Sequence, residues 1–282
     1  MLRPLLRTTA LLAAAVFSSH AVAARQAPAE LSRLEFTARV TPASGRSEPA
    51  RSLSVYLLTK SFHDVVREAQ EKTTPPDFAG FVDHTAFSKE LKAWMKREHT
   101  VSVSGPDFRN HMSNDDIIHV PEFFDAYVNS NLSGLNQGFP EPKYTAPDRD
   151  ANTKKYQKYH VEYDASLLKY IIAHPESKDG MDTILEQRDP SKGWGVEVMR
   201  WNERALARAV EIAQTDYMVA KTETNLDGRG AFQCSPGTFW LSSLDGEALS
   251  GERHLHWDVK VEVHAGGVTQ VELSNLNADK RP

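Results

Sequence analysis

The segment Arg253-His254-Leu255-His256-Trp257-Asp258 carries the densest run of side chains that could do chemistry. On an extended strand successive side chains alternate between faces, which would put His254, His256 and Asp258 on one side and Leu255 and Trp257 on the other. Two imidazoles and a carboxylate suit zinc or another first-row transition metal. A water held on such an ion is a hydrolytic nucleophile. These three residues are therefore the candidate metal ligands. No further ligand and no residue to orient the rings is identifiable nearby. The same pattern also describes the solvated side of a strand whose core side is Leu255, Trp257 and Val259.

Other candidates have simpler explanations. Asp148-Arg149-Asp150-Ala151-Asn152 begins like a calcium loop, but Thr153 stands where such a loop needs Gly and Tyr159 where it needs a bidentate Glu. Asp150 or Asn152 capping a following helix accounts for these residues. Ser113-Asn114-Asp115-Asp116, with His119 nearby, can be read as an acid/base cluster, but the same spacing is that of a capping box that starts a helix, which is the reading adopted. His63, His84, His99, His111, His160 and His174 show no H-E-x-x-H spacing. No G-x-S-x-G elbow, phosphate loop or dinucleotide fingerprint is present, and no cofactor is implied. Cys234 is the only cysteine, which rules out an intramolecular disulfide. Its neighbours Phe232 and Phe239 place it in a buried strand as an inert thiol.

The elements that position these residues fall into two groups. Near the start, Leu34, Phe36, Ala38 and Val40 alternate with polar residues, and Leu53, Val55 and Leu57 do so again. Towards the end, Tyr217 and Val219 lead into Asn225-Leu226-Asp227-Gly228-Arg229-Gly230, whose Asp-Gly suits a tight hairpin. Strands follow at 231–234, 239–244 and, as one long alternating run, 255–263, before Gly266-Gly267 turns the chain back onto Val271 and Leu273. About seven strands with regular turn signals predict a β-sandwich. Between the groups the period becomes helical. Ser61 caps a helix bearing Phe62, Val65, Val66 and Ala69, and Phe87, Leu91 and Trp94 share a face. Pro121 opens a helix with Phe123, Phe124 and Tyr127. Leu167, Leu168, Ile171 and Ile172 form another stripe, stopped by Pro175. A long helix from about Trp194 to Thr215 turns Val198, Trp201, Ala205, Ala209 and Ile212 inward. The segment 131–150 reads as a long irregular loop. Trp94, Phe123, Phe124, Tyr127 and Trp201 fit helical spacing and read as core.

The run Thr222 to Phe232, with Thr224, Asp227, Gly228, Gly230 and Phe232 in the order T-x-x-D-G-x-G-x-F, is followed by Pro236-Gly237-Thr238-Phe239. It resembles the carboxypeptidase regulatory-like, transthyretin-like β-sandwich. The resemblance covers roughly 32–60 and 216–277. It implies an α+β fold: a seven-stranded transthyretin-like sandwich formed by 24–60 and 216–282, interrupted by an α-helical insertion at 61–215. Members mostly serve as accessory or binding modules outside the cytoplasm, and no catalytic residue is carried onto any position here. The helical block between the early strand and the hairpin departs from the family pattern.

Arg3 and Arg7 precede an apolar run from Ala10 to Phe17 and then Ala21-Val22-Ala23, the three parts of a cleavable signal peptide over 1–23. The run is shorter than a membrane-spanning helix, so the mature chain is expected to lack a transmembrane segment. The formal net charge of −5 offers no basic footprint for nucleic acid. Together these features describe an exported protein, periplasmic or extracellular. Its expected role is a binding or interaction module for an unknown protein or small-molecule ligand, with the groove between sandwich and insertion the expected site. The alternative is a metal-dependent hydrolase using His254, His256 and Asp258.

Overall fold

The computed structural model describes residues 31–43, 45–132, 138–250 and 253–279; the signal peptide assigned to 1–23 lies outside them. The chain is mixed α and β. Strand β1 (Ser32–Val40) alternates as its sequence requires, with Leu34, Phe36, Ala38 and Val40 all at most 5% exposed. After β2 (Glu48–Pro49) and β3 (Ser54–Leu58) the chain leaves the strands for a succession of helices. These are α1 (Phe62–Lys72), α2 (Phe78–His84), α3 (Lys89–Glu98), α4 (Gly105–His111), α5 (Asn114–His119), α6 (Pro121–Leu132), α7 (Ala146–Ala151), α8 (Thr153–Ala173), α9 (Met181–Leu185) and α10 (Ser191–Ile212). A π-helical turn, Ala213–Tyr217, returns the chain to β4 (Met218–Glu223) and β5 (Arg229–Cys234). Then come β6 (Gly237–Ser242), β7 (Ala248–Ser250), β8 (Arg253–Leu255), β9 (Asp258–Val263) and β10 (Val268–Leu273).

One sheet has the order β10-β1-β5, with β2 paired to the end of β1; the second has the order β4-β3-β6-β9. Pairing is antiparallel except between β1 and β10. Both sheets turn apolar residues into one core, where Leu34, Phe36, Phe232 and Leu273 meet Val55, Leu57, Leu241 and Val261. The opposite face of the second sheet carries Tyr56, Leu58 and Trp240. These pack on Phe62, Val65 and Ala69 of α1, on Ala209 near the end of α10 and on Ala213 of the π-helical turn. The remaining helices hold a separate core centred on Leu91, Trp94, Phe108, Phe123, Tyr127 and Leu167. Trp94, Phe108 and Phe123 meet edge to face, the arrangement that ring quadrupoles favour.

The hairpin motif is turn and core chemistry. The buried Thr224 hydroxyl donates to Ala50 O at 2.6 Å and accepts from Leu53 N at 2.9 Å, tying the hairpin to the entry of β3. Gly228 has a φ of 74°, and a Cβ there would run into the Ala38 carbonyl oxygen. Gly230 leaves room for the Phe36 ring, which stacks on Phe232 at 5.7 Å.

Three expectations are corrected. Ten strands are described, because β2, β7 and β8 have only two or three residues each, too few to show a period. The run 255–263 is two strands, because Trp257 is fully buried and its main chain turns to Ser243 instead of continuing a ladder. Within 131–150, Asn131 and Leu132 close α6, 133–137 lie outside the described residues, and α7 starts at a Thr145–Asp148 capping box. The contact between the second sheet and α1 and α10 is made by packed apolar side chains.

Candidate functional site

The break at Trp257 decides the fate of the three predicted metal ligands. Trp257 N donates to Ser243 Oγ at 3.1 Å and its Nε1 to Ser274 O at 3.0 Å, so the indole is a structural anchor. His254 stands on β8, opposite Leu249, whereas Asp258 opens β9, opposite Ser242. His254 Nδ1 reaches Glu247 Oε2 at 2.8 Å, and His256 Nδ1 contacts Gly246 O at 2.9 Å. Asp258 turns elsewhere, its Oδ2 accepting from Ser61 Oγ at 2.5 Å and from His63 N at 3.3 Å. The structure thus brings His254 and His256 to Glu247, not to Asp258. Among the described residues no preformed group of three or more His, Cys, Asp or Glu side chains is set to hold a metal ion.

Asp258 is explained by the helix it touches. Ser61 occupies the N-cap of α1 but makes no side-chain cap bond of its own. Its hydroxyl is held by Asp258, whose carboxylate takes over an N–H of the first turn and places negative charge at the positive end of the helix. His63 Nε2 meets Asp279 Oδ2 at 3.1 Å, and Asp279 N donates to His256 O at 2.6 Å. Ser61, His63, Asp258 and Asp279 therefore lie together where the helices leave the sheet. They do not make a relay, because the Ser61 proton goes to a carboxylate and His63 pairs with a different one. At the other side of this junction Glu68 accepts from Lys60 at 2.7 Å, Lys72 at 2.6 Å and the Tyr217 hydroxyl at 3.0 Å. Those three donors, Lys60 first, bring its carboxyl down to about 2.

A broad concavity lies across the outer face of β10-β1-β5. It has a volume of about 850 Å³ and an open rim. Residues opposite one another on neighbouring strands share a face. Glu35 is flanked by Ala231 and Gln270, and Thr37 by Arg229 and Glu272. Short side chains at Thr37 and Ala231 make the floor, and charged ones stand around it. Arg33 Nε is tied to Glu35 Oε1 at 2.7 Å, and Arg39 Nε to Ser47 Oγ at 3.1 Å. Among the described residues no histidine or cysteine lines this groove. One signal in the sequence pointed to it, the polar half of the β1 alternation at Arg33, Glu35, Thr37 and Arg39. The flanking contributions come from strands roughly two hundred residues away.

The other sequence candidates are structural. Asn152 caps α8 by accepting from Lys155 N at 3.2 Å, and Asp148 belongs to the capping box of α7. Ser113 and Asp116 form a capping box, and Asp116 also receives Arg97 at 2.6 Å. Cys234 is buried, which pushes its thiol up and away from reactivity. Trp94, Phe123 and Tyr127 are fully buried, while Trp201 is half-buried and donates from Nε1 to Thr73 O at 3.1 Å. No helix among the described residues is long and apolar enough to cross a membrane. No family model, no curated protein and no solved structure matches the chain.

Proposed function

We propose that the chain is an exported interaction module of the cell envelope, a transthyretin-like β-sandwich interrupted by the helical insertion 61–215. It binds a protein or small-molecule ligand without turning it over. The observation that carries this reading is the open groove on the outer face of β1. Its floor is lined by short side chains, and its rim carries the Arg33–Glu35 ion pair together with Arg229 and Glu272. Such a surface can pair with an extended ligand bearing both charges. Among the described residues its lining holds no histidine or cysteine. The sandwich reading is supported by the hairpin motif, whose Thr224, Gly228 and Gly230 each do a job that turn or packing geometry demands. Export rests on the charged, apolar and small-residue segments of 1–23.

Filling the groove tests the binding claim. Ala231→Trp places an indole on the floor from an exposed position of β5. Wild-type protein passed over an envelope extract should retain a saturable partner that the variant, with unchanged circular dichroism, releases. Equal retention by both would show that the groove is not the binding face. Deleting 1–23 should leave the protein in the cytoplasmic fraction, and continued export would remove the envelope assignment.

A further inference from the structure

Strands β7 and β8 pair with Leu249 opposite His254 and Ala248 opposite Leu255. One step further in the same register Glu247 stands opposite His256, so Glu247, His254 and His256 share one face of the hairpin. Both rings turn onto the same oxygen. Glu247 Oε2 is 2.8 Å from His254 Nδ1 and 3.9 Å from His256 Nε2. A carbonyl only accepts, so the 2.9 Å contact with Gly246 O fixes a hydrogen on His256 Nδ1. In the neutral ring that leaves the lone pair on Nε2, the nitrogen directed at Glu247. Metal-binding imidazoles are held in this way, by a backbone carbonyl on the opposite ring nitrogen.

Distances decide whether an ion fits. A tetrahedral ion with donors at about 2.0–2.2 Å separates neighbouring donors by about 3.3 Å. The two separations from Glu247 Oε2 fall on either side of that value, each within roughly half an ångström of what such an ion requires. Without an ion only His254 is within hydrogen-bond distance of Glu247, and His256 stands off at 3.9 Å, in keeping with the absence of a preformed ligand set among the described residues. Side chains of His254 and Glu247 are 57% and 44% exposed, which leaves the remaining coordination positions to water.

We infer that Glu247, His254 and His256 bind a divalent cation of the zinc, nickel or copper(II) class, which ties the start of β7 to the end of β8. The ligand set differs from that of the sequence pattern in taking Glu247 in place of Asp258, and it does not depend on the groove of β1. The test is calorimetric titration of the folded protein with zinc chloride at neutral pH, beside Glu247→Gln, His254→Ala and Asp258→Asn. Circular dichroism without metal verifies that each variant is folded. The expected result is about one site per chain, weakened at least about tenfold in Glu247→Gln and His254→Ala and within about twofold of wild type in Asp258→Asn. Three results would overturn the inference: no saturable site in wild type, unchanged binding in the first two variants, or loss in Asp258→Asn equal to that in Glu247→Gln.

Discussion

Ser61 and Asp258 are 197 positions apart, yet one hydrogen bond of 2.5 Å between them starts the helical insertion. Asp258→Ala removes that bond, the longer one from His63 N, and the negative charge at the N-terminus of α1. A bond to a charged group contributes about 1.5–3 kcal/mol net when well shielded. Both partners here are half-buried, so about 1–2 kcal/mol is appropriate for the Ser61 contact. The helix-end charge adds about 0.3–1 kcal/mol. Asp258→Ala should therefore cost about 1–3 kcal/mol, a melting decrease of roughly 2–12 °C for a chain of this size. Ser61→Ala should cost about 1–2 kcal/mol, and the double variant little more than Asp258→Ala alone. Urea unfolding of the four proteins, followed by circular dichroism, gives the coupling directly. A coupling below about 0.3 kcal/mol would mean that the two residues act independently and that Asp258 does not cap α1.

Glu68, held at about 2, contributes stability that is complete above its ordinary value of 4.5 and is lost as pH falls through about 2. The difference in urea midpoint between wild type and Glu68→Gln should therefore shrink over that interval; a constant difference would contradict the role given to Lys60, Lys72 and Tyr217. Gly230→Ala drives a Cβ into the Phe36 ring and should cost about 1–3 kcal/mol, much of it recovered in Gly230→Ala/Phe36→Leu. Additive losses in that pair would refute the packing argument. Trp94 is 1% exposed and its Nε1 is buried without a hydrogen-bond partner among the described residues. Trp94→Ala should cost about 3–5 kcal/mol and Trp94→Phe less than about 1.5, since phenylalanine keeps most of the ring contacts and removes the stranded N–H. Thermal unfolding of both separates the two effects.

What was legible in the sequence was local. The alternation of Leu34, Phe36, Ala38 and Val40 marks β1 because one face meets the core, and the Ser113 and Asn152 caps follow from rules spanning three residues. The period failed where tertiary contacts overrode it. Trp257 is pulled in by Ser243 and Ser274, which breaks the strand and sends His254 and Asp258 to different neighbours. Glu247 was invisible as a partner of the histidines because its place is set by the β7–β8 register. Asp258 looked like a ligand because its true partner, Ser61, lies on the other side of the insertion. The groove was half legible: β1 shows its polar face, but Arg229 and Glu272 join it only through pairing with β5 and β10.

The central claim, that the outer face of β1 is where this protein meets its partner, is tested most directly by photo-crosslinking in the producing cell. A benzophenone side chain at Gln270, on the rim of the groove, is compared with one at Glu203, on the exposed side of α10. The account predicts a discrete adduct from Gln270 that Ala231→Trp abolishes, and none from Glu203. An adduct from Glu203 alone, or one from Gln270 that survives Ala231→Trp, would contradict it.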